Sequence, residues 1–138
     1  ATCFTCHRGA QRPPERLDVV LAGVAQTQGV AAAIARYREL RSEHPSDGQY
    51  DFTPRGLGIA AARLLEAGRP DEALALARFN VESHPDEPQA HVQVGQILLR
   101  KGDKAGAVEA FRKALKLDPT NAAAQRGLKA AEEGPAKQ

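Results

Sequence analysis

The apolar residues of this 138-residue chain recur every three or four positions from Glu15 onward, which is the spacing of one face of an α-helix. The pattern is interrupted by proline, glycine and polar residues at 45–51, 68–70, 85–88, Gly102 and Pro119. Residues suited to a first helical turn follow these breaks, namely Pro54, Pro70, Asp71, Pro88 and Asp103. The pattern therefore predicts an all-α fold with about seven helices.

The helical pattern repeats along the chain. Gly68 and Gly102 lie 34 residues apart, and the same offset relates Ala73 to Ala107, Ala77 to Phe111, Val81 to Leu115 and Pro85 to Pro119. A single helix pair cannot bury its apolar face alone, so repeated pairs of this length stack on one another. The period predicts a helical solenoid with small residues where the helices cross.

These spacings resemble the tetratricopeptide repeat family, whose period is about 34 residues. The matching positions in 88–121 are Val94, Gly95, Leu98, Gly102, Ala107, Phe111, Ala114 and Pro119. Those in 54–87 are Ala60, Ala61, Leu64, Gly68, Ala73, Ala77, Asn80 and Pro85. Asn80 departs from the usual small apolar residue, and Ala77 departs from the usual aromatic residue. The resemblance implies a tetratricopeptide solenoid.

An earlier and weaker repeat is predicted at 14–47. Its second helix keeps the family spacing at Ala33, Tyr37, Leu40 and Pro45, and its first-helix core is predicted at Leu17, Val20, Leu21 and Val24. Gln28 takes the place of the turn glycine, and the repeat lies 40 rather than 34 residues before the next one. We therefore expect an insertion within 46–52.

The domain division follows from these boundaries. A short irregular arm spans 1–13, and repeats at 14–47, 54–87 and 88–121 are followed by a cap helix at about 122–132, so that the helical region spans 14–132. Residues 133–138 form a tail.

Composition supports this division and excludes some functions. Alanine occupies 26 positions and aromatic residues make up 4% of the chain, which favours closely packed helices over sheets. A formal net charge of +2 gives no indication of nucleic-acid binding. No apolar run reaches the roughly 20 residues of a membrane-spanning helix. Because the chain begins with Ala1 and shows no signal peptide, we expect a mature, processed or trimmed chain.

The arm contains both cysteines of the chain in the run Cys3-Phe4-Thr5-Cys6-His7, which is a C-x-x-C-H motif. Two thiols at this spacing can form thioether bonds to the two vinyl groups on one edge of a porphyrin. The adjoining imidazole can then ligate the iron. The motif predicts one covalently attached haem c.

The run through Arg8 and Gly9 resembles the haem segments of bacterial c-type cytochromes. The resemblance implies Cys3 and Cys6 as the covalent anchors and His7 as the proximal iron ligand. Three other interpretations stay open, namely a redox dithiol, part of a zinc site and a coincidental occurrence of the motif. A redox dithiol would normally lie in a βαβ context, and a zinc site would normally have a second ligand pair.

The sixth iron ligand cannot be a methionine of this chain, because the chain has none. The candidates are His84, His44 and His91, the amino group of Ala1, and a group from a neighbouring subunit. His44 and His84 directly precede the exit prolines of their repeats, whereas His91 falls on the first helix of the last repeat. Each of the three histidines is also compatible with a purely structural role at a helix end or a packing position.

Two functions follow from these features. The first is a non-enzymatic c-type cytochrome that carries electrons through one haem, with the repeats as a scaffold for a homo-oligomer, a filament or contacts with other cytochromes. The alternative is a tetratricopeptide adaptor that binds proteins, with the arm as a tether, a zinc or redox site, or a remnant of a larger cytochrome. An open-coordinated haem that binds gases or acts on peroxide is a weaker third possibility.

The expected location is bacterial and outside the cytoplasm. The run from Tyr37 through Phe52, Leu65 and Phe79 to His84 is similar to a tetratricopeptide module of exported bacterial serine hydrolases. No nucleophile motif of such hydrolases occurs in the chain. This resemblance and the attachment of haem c outside the cytoplasm imply a periplasmic, cell-surface or extracellular protein.

Overall fold

The computed structural model describes residues 16–45 and 50–133, and these residues form seven α-helices and no strand. The helices are α1 (Leu17–Gln28), α2 (Val30–Glu43), α3 (Pro54–Glu66), α4 (Pro70–Ser83), α5 (Pro88–Lys101), α6 (Lys104–Leu117) and α7 (Ala122–Glu133). The predicted all-α class and the predicted number of helices are confirmed. None of these helices has the length and apolarity needed to cross a bilayer.

The helices pack as successive pairs. The first helix of each pair contacts its own second helix, so α1 packs against α2, α3 packs against α4 and α5 packs against α6. The first helices also pack side by side, with α1 against α3, α3 against α5, and α5 against α7. Helix α7 therefore takes the place of a further first helix. The result is a helical solenoid of the predicted kind, with a continuous face formed by first helices.

The predicted helix starts are confirmed. Proline occupies the first turn of α3, α4 and α5, where the missing N–H leaves no hydrogen bond unmade. Asp103 caps α6, because its Oδ1 accepts a hydrogen bond of 2.9 Å from the backbone N–H of Gly106.

The turns within the helix pairs contain glycine with a positive φ angle. The φ angles of Gly29, Gly68 and Gly102 are 95°, 78° and 86°. Other residues adopt such angles only at an energetic cost. The prediction that Gln28 replaces the turn glycine of the first pair is therefore wrong. Gln28 is the last residue of α1, and Gly29 makes a one-residue connection to α2.

The predicted core is largely confirmed. Leu17 and Leu21 of α1 are buried, but Val20 and Val24 are only half-buried, and Ala25 lies in the core instead. The row of residues at intervals of four, from Leu17 through Leu21 to Ala25, is the row that α1 turns toward its neighbours. The predicted core positions of the later repeats are fully buried, namely Ala60, Ala61, Leu64, Ala73, Ala77, Ala107, Phe111 and Ala114.

A buried carboxylate joins α1 to α3. Asp18 is 5% exposed, and its two oxygens accept hydrogen bonds from the Nε atoms of Arg63 at 2.6 Å and Arg16 at 3.1 Å. A charge at this depth is tolerated only when it is paired. The ion pair therefore fixes how the first pair is positioned on the second.

Phe111 sets the closeness of the last crossing. Its ring is completely buried, and a Cβ placed on Gly95 would lie 2.8 Å from it. A Cβ placed on Gly127 of α7 would lie 2.3 Å from the same ring. Glycine on both sides of the ring lets α5 and α7 approach α6 closely.

We predict that Gly95→Ala destabilises the chain by about 1 to 3 kcal/mol, because the ring of Phe111 has no room to shift. The matched control is Gly23→Ala on α1, where an added Cβ would meet nothing within 4 Å. That substitution should stabilise the chain by about 0.5 to 1 kcal/mol through helix propensity. Denaturant unfolding of both variants measures the difference, and equal stabilities would contradict the packing argument.

We also predict that Tyr37→Phe lowers stability at neutral pH by about 0.5 to 1.5 kcal/mol, because the hydroxyl donates a hydrogen bond to a backbone carbonyl. That bond joins Tyr37 to the Phe52 oxygen at 3.2 Å. Burial raises the pKa of the Tyr37 phenol above its ordinary value. A raised pKa contributes stability at lower pH that is lost as pH rises through it.

The stability difference between the wild type and Tyr37→Phe should therefore shrink at pH values above about 10, the ordinary tyrosine pKa. Unfolding curves at several alkaline pH values test this trend. Tyr50→Phe is the control variant, because Tyr50 is the other of the two tyrosines in the chain. A difference that stays constant or grows with pH would refute the prediction.

Candidate functional site

A groove of about 530 Å³ runs between α3 and α5 on the face formed by the first helices. Helix α3 contributes its early and central residues to one wall, helix α5 forms the other wall, and α4 reaches the floor. The lining residues are Thr53, Pro54, Arg55, Gly58, Ile59, Ala62, Asn80, Glu87, Gln89, Ala90, Val92, Gln93 and Gln96.

Gln93 presents an acceptor to the groove. Its Nε2 donates a hydrogen bond of 2.6 Å to the backbone oxygen of Gly58 on the opposite wall. A backbone carbonyl can only accept, so this contact fixes which end of the amide faces Gly58. The Gln93 Oε1 is therefore left for a ligand.

Gln89, one helical turn earlier, presents a donor. The backbone N–H of Ala124 donates to Oδ1 of Asn121 at 3.0 Å, which orients the Asn121 amide. Nδ2 of Asn121 then donates to Oε1 of Gln89 at 3.1 Å. The NH₂ group of Gln89 is left for a ligand, about 5 to 6 Å along the helix from Gln93 as measured between Cβ atoms.

The remaining lining gives the groove little net charge and a small apolar surface. Arg55 and Glu87 are the charged residues of the lining, and their charges are opposite. Ile59 and Ala62 lie on the α3 wall and are half-buried. The groove can therefore hold an aliphatic side chain beside a donor and an acceptor, which suits an uncharged segment of polypeptide.

Asn80 forms part of the floor. It is 1% exposed, and its Nδ2 donates a hydrogen bond of 2.9 Å to the backbone oxygen of Pro54 in the first turn of α3. Its Oδ1 lies 3.1 Å from Nδ1 of His84. The departure from the repeat pattern at position 80 thus has a structural reason, because the amide ties α4 to the start of α3.

The predicted ligand candidates His44 and His84 occupy equivalent places in the solenoid. They cap the C-terminal ends of α2 and α4, second helices that contact each other, and both are half-buried. The ring of His44 lies against Tyr50, with 5.4 Å between the ring centroids.

The third candidate, His91, lies on α5 and is half-buried. Its Nε2 is 3.0 Å from the backbone oxygen of Pro85. Within residues 16–45 and 50–133, no three or more His, Cys, Asp or Glu side chains are grouped closely enough to hold a metal ion. The described histidines therefore belong to no cluster of three or more such side chains.

The predicted haem ligands Cys3, Cys6 and His7 lie outside the described residues, and so does the amino group of Ala1. Their roles stay predictions.

Sequence reasoning missed the two groove glutamines. The signal that could have found them is the comparison of first helices at the 34-residue offset, which aligns Arg55 with Gln89 and Ile59 with Gln93. Positions that stay exposed on first helices yet differ between repeats are expected to carry specificity, because packing does not dictate their identity.

The comparison with known families agrees with this geometry. Residues 60–122 match the family model described as tetratricopeptide repeat. Residues 60–122 are therefore similar to tetratricopeptide repeats. The match covers helices of the second and third pairs, whose 34-residue period carried the prediction.

The known relatives are much longer than this chain. Cellulose synthase operon protein C of Pseudomonas fluorescens (strain SBW25) is 34% identical over 113 residues, which is 75% of this chain and 8% of that protein. The Hsp70-Hsp90 organizing protein of Triticum aestivum is 38% identical over 68 residues, which is 49% of this chain and 12% of that protein. The chain thus spans only a small part of each of these relatives.

Solved structures show the same fold. The Sgt2 tetratricopeptide domain from Aspergillus fumigatus superposes with a TM-score of 0.58 at 21% identity, over 88% of this chain and 85% of that one. The first tetratricopeptide domain of Spaghetti (RPAP3), bound to the HSP90 peptide SRMEEVD, gives 0.58 at 18% identity, over 84% and 90% of the two chains. The predicted tetratricopeptide solenoid is confirmed.

Proposed function

We propose that this chain is a non-catalytic scaffold that binds a partner protein, and that the groove between α3 and α5 holds an uncharged, extended segment of that partner. The observation that carries the proposal is the pair of oriented amides on one wall. Gln93 offers an acceptor and Gln89 offers a donor, and the backbone of an extended peptide presents both kinds of group.

The charge of the groove argues against an acidic ligand. The peptide bound by Spaghetti, SRMEEVD, has three acidic residues. The lining of the groove has one cation, Arg55, and one anion, Glu87, and Glu87 also accepts a hydrogen bond from the backbone N–H of Gln89. Electrostatic complementarity selects partners mainly by disfavouring unmatched charge. A neutral segment with an aliphatic side chain over Ile59 fits this groove better.

Short synthetic peptides grouped by net charge test the proposal, with affinities measured by fluorescence anisotropy on the full chain. We expect neutral peptides with an aliphatic residue to bind best. Gln89→Ala and Gln93→Ala should each weaken binding about tenfold, which corresponds to about 1.4 kcal/mol.

The matched control is Gln26→Ala, an exposed position on α1 that does not line the groove. Binding that favours acidic peptides, or that is equally weakened by the control, would contradict the proposal. Amide NMR shifts caused by the best peptide should be centred on the α3 and α5 walls.

A second function rests on the motif formed by Cys3, Cys6 and His7, and it is compatible with the first. The arm carries one haem c, through which the protein transfers electrons in the periplasm, at the cell surface or outside the cell. The donor set fits the group, because the two thiols provide thioether links and the imidazole provides one axial ligand. The repeats then hold the arm within a homo-oligomer or filament, or against another cytochrome.

Expression of the full chain with the bacterial machinery that attaches haem c tests the second function. We expect the wild type to retain haem under denaturing conditions and to give the pyridine-haemochrome spectrum of haem c. The double variant Cys3→Ala/Cys6→Ala should give none, and His7→Ala should alter the iron spin state. A wild-type chain without covalent haem, or with bound zinc instead, would overturn this function.

A further inference from the structure

A second cavity, of about 440 Å³, lies between α2 and α4, the second helices of the first two pairs. None of the residues that line it lines the groove between α3 and α5. The rings of Tyr37 and Phe79 contribute to it and meet edge to face, with 5.3 Å between their centroids. The charged residues of this α2–α4 cleft are Arg38 and Arg41 of α2 and Glu82 of α4. The cleft therefore has more positive than negative charge.

Arg38 is held in place while its hydrogen-bond donors stay available. Its Cζ lies 5.3 Å from the centroid of the Phe79 ring, over the face of that ring. Such a contact uses the flat face of the guanidinium group, whereas the N–H donors point outward in its plane. Arg38 is exposed, and within residues 16–45 and 50–133 it makes no ion pair. Its donors can therefore bind oxygen atoms of a ligand.

Arg41 lies three residues after Arg38, in the last turn of α2, so the two cations are neighbours on the surface of the helix. The carboxylates of α2 are directed to a different face. Glu39 accepts a hydrogen bond of 2.6 Å from Arg36, and the pKa of Arg36 is raised first by this bond and further by the charge of Glu43. Neither Glu39 nor Glu43 lines the cleft.

The same position in each second helix holds an arginine. Arg38, Arg78 and Arg112 directly follow the equivalent residues Tyr37, Ala77 and Phe111. At Arg112 the position already binds a carboxylate, because Nη2 donates a hydrogen bond of 3.0 Å to Oε1 of Glu132 on α7. This pair shows which chemical group an arginine at this position of the solenoid can hold.

Arg78 has surroundings that disfavour an added anion. It lines a separate cavity formed by α4, α5 and α6, in which the three carboxylates of Glu82, Asp103 and Glu109 outnumber the two cations Arg78 and Lys113. Arg38 differs from both of its equivalents, because it lies beside a second cation and only one carboxylate lines its cavity.

We propose that the α2–α4 cleft binds an acidic segment of a partner protein, with a carboxylate of that segment on Arg38 and Arg41. The planar guanidinium group suits a carboxylate because two parallel N–H donors match its two oxygens. Charge complementarity then selects the partner. Exposed ion pairs contribute little free energy, so an acidic segment should bind here more weakly than the neutral segment proposed for the groove.

NMR titration of the full chain with a short glutamate-rich peptide tests this inference. We expect amide shifts centred on the second halves of α2 and α4, and an affinity that falls as salt is added. The same peptide with glutamine in place of glutamate should cause no shifts there. Arg38→Gln should weaken binding of the glutamate peptide about tenfold, as for a lost hydrogen bond between charged groups.

Glu82→Gln should have the opposite effect. It removes the carboxylate from the cleft lining, so the glutamate peptide should bind about two- to fivefold more tightly, the range of an exposed ion pair. A gain in affinity cannot come from a damaged fold. An affinity that is unchanged or reduced in Glu82→Gln would overturn the proposal.

Two matched controls remove the same charge elsewhere. Arg36→Gln changes the same helix outside the cleft, and Arg112→Gln changes the equivalent arginine that already has Glu132 as its partner. Both should leave the affinity for the glutamate peptide unchanged. If either weakens binding as much as Arg38→Gln does, general attraction between charges explains the binding and the proposed site is wrong.

This inference is independent of the function proposed for the groove, and the two can fail separately. Gln89→Ala should leave binding of the glutamate peptide unchanged. Shifts centred on α3 and α5, or binding that is lost in Gln89→Ala, would place the acidic peptide in the groove and overturn the assignment to the cleft. A short single-stranded oligonucleotide that occupies the cleft more tightly than the glutamate peptide would overturn the choice of a protein partner.

Discussion

Close approach of helices is the constraint on which this solenoid depends. Small residues are buried in the packed helices, as at Ala60, Ala61 and Ala73 in the second pair. At the last crossing, Gly95 and Gly127 face the large ring of Phe111. Close crossings align the first helices side by side, and the groove exists because two of them run in parallel at a fixed separation.

Asn80 is, with Asp18, a polar residue buried in this apolar interior, and its amide connects the groove to His84. One end of its amide anchors the first turn of α3, which forms a wall of the groove. The other end orients His84 on the outer edge of the same repeat. A buried amide costs free energy unless its hydrogen bonds are made, so its two partners are specified rather than incidental.

The fold was predictable from sequence because each signal was local or periodic. Proline at helix starts, glycine at turns and the 34-residue offset of small residues each have one structural interpretation. The sequence pattern places the turn of the first pair by counting back from Ala33 with the spacing of the later repeats. The connection between α1 and α2 is shorter than theirs, so the turn glycine is Gly29. The groove was not predictable in detail, because the orientation of Gln89 depends on Asn121, which is 32 residues away.

The pairing of Phe111 with Gly127 also limits how these repeats can diverge or be exchanged. One repeat earlier, Ala77 takes the place of Phe111 and Gln93 takes the place of Gly127. The larger residue of the two is therefore on the other helix of the contact. Gln93 lines the groove, and position 77 of its neighbouring repeat holds alanine instead of a ring. A duplication that copied one repeat over another would therefore fail unless both positions changed together. A compensated pair of this kind limits which repeat of this chain can replace another.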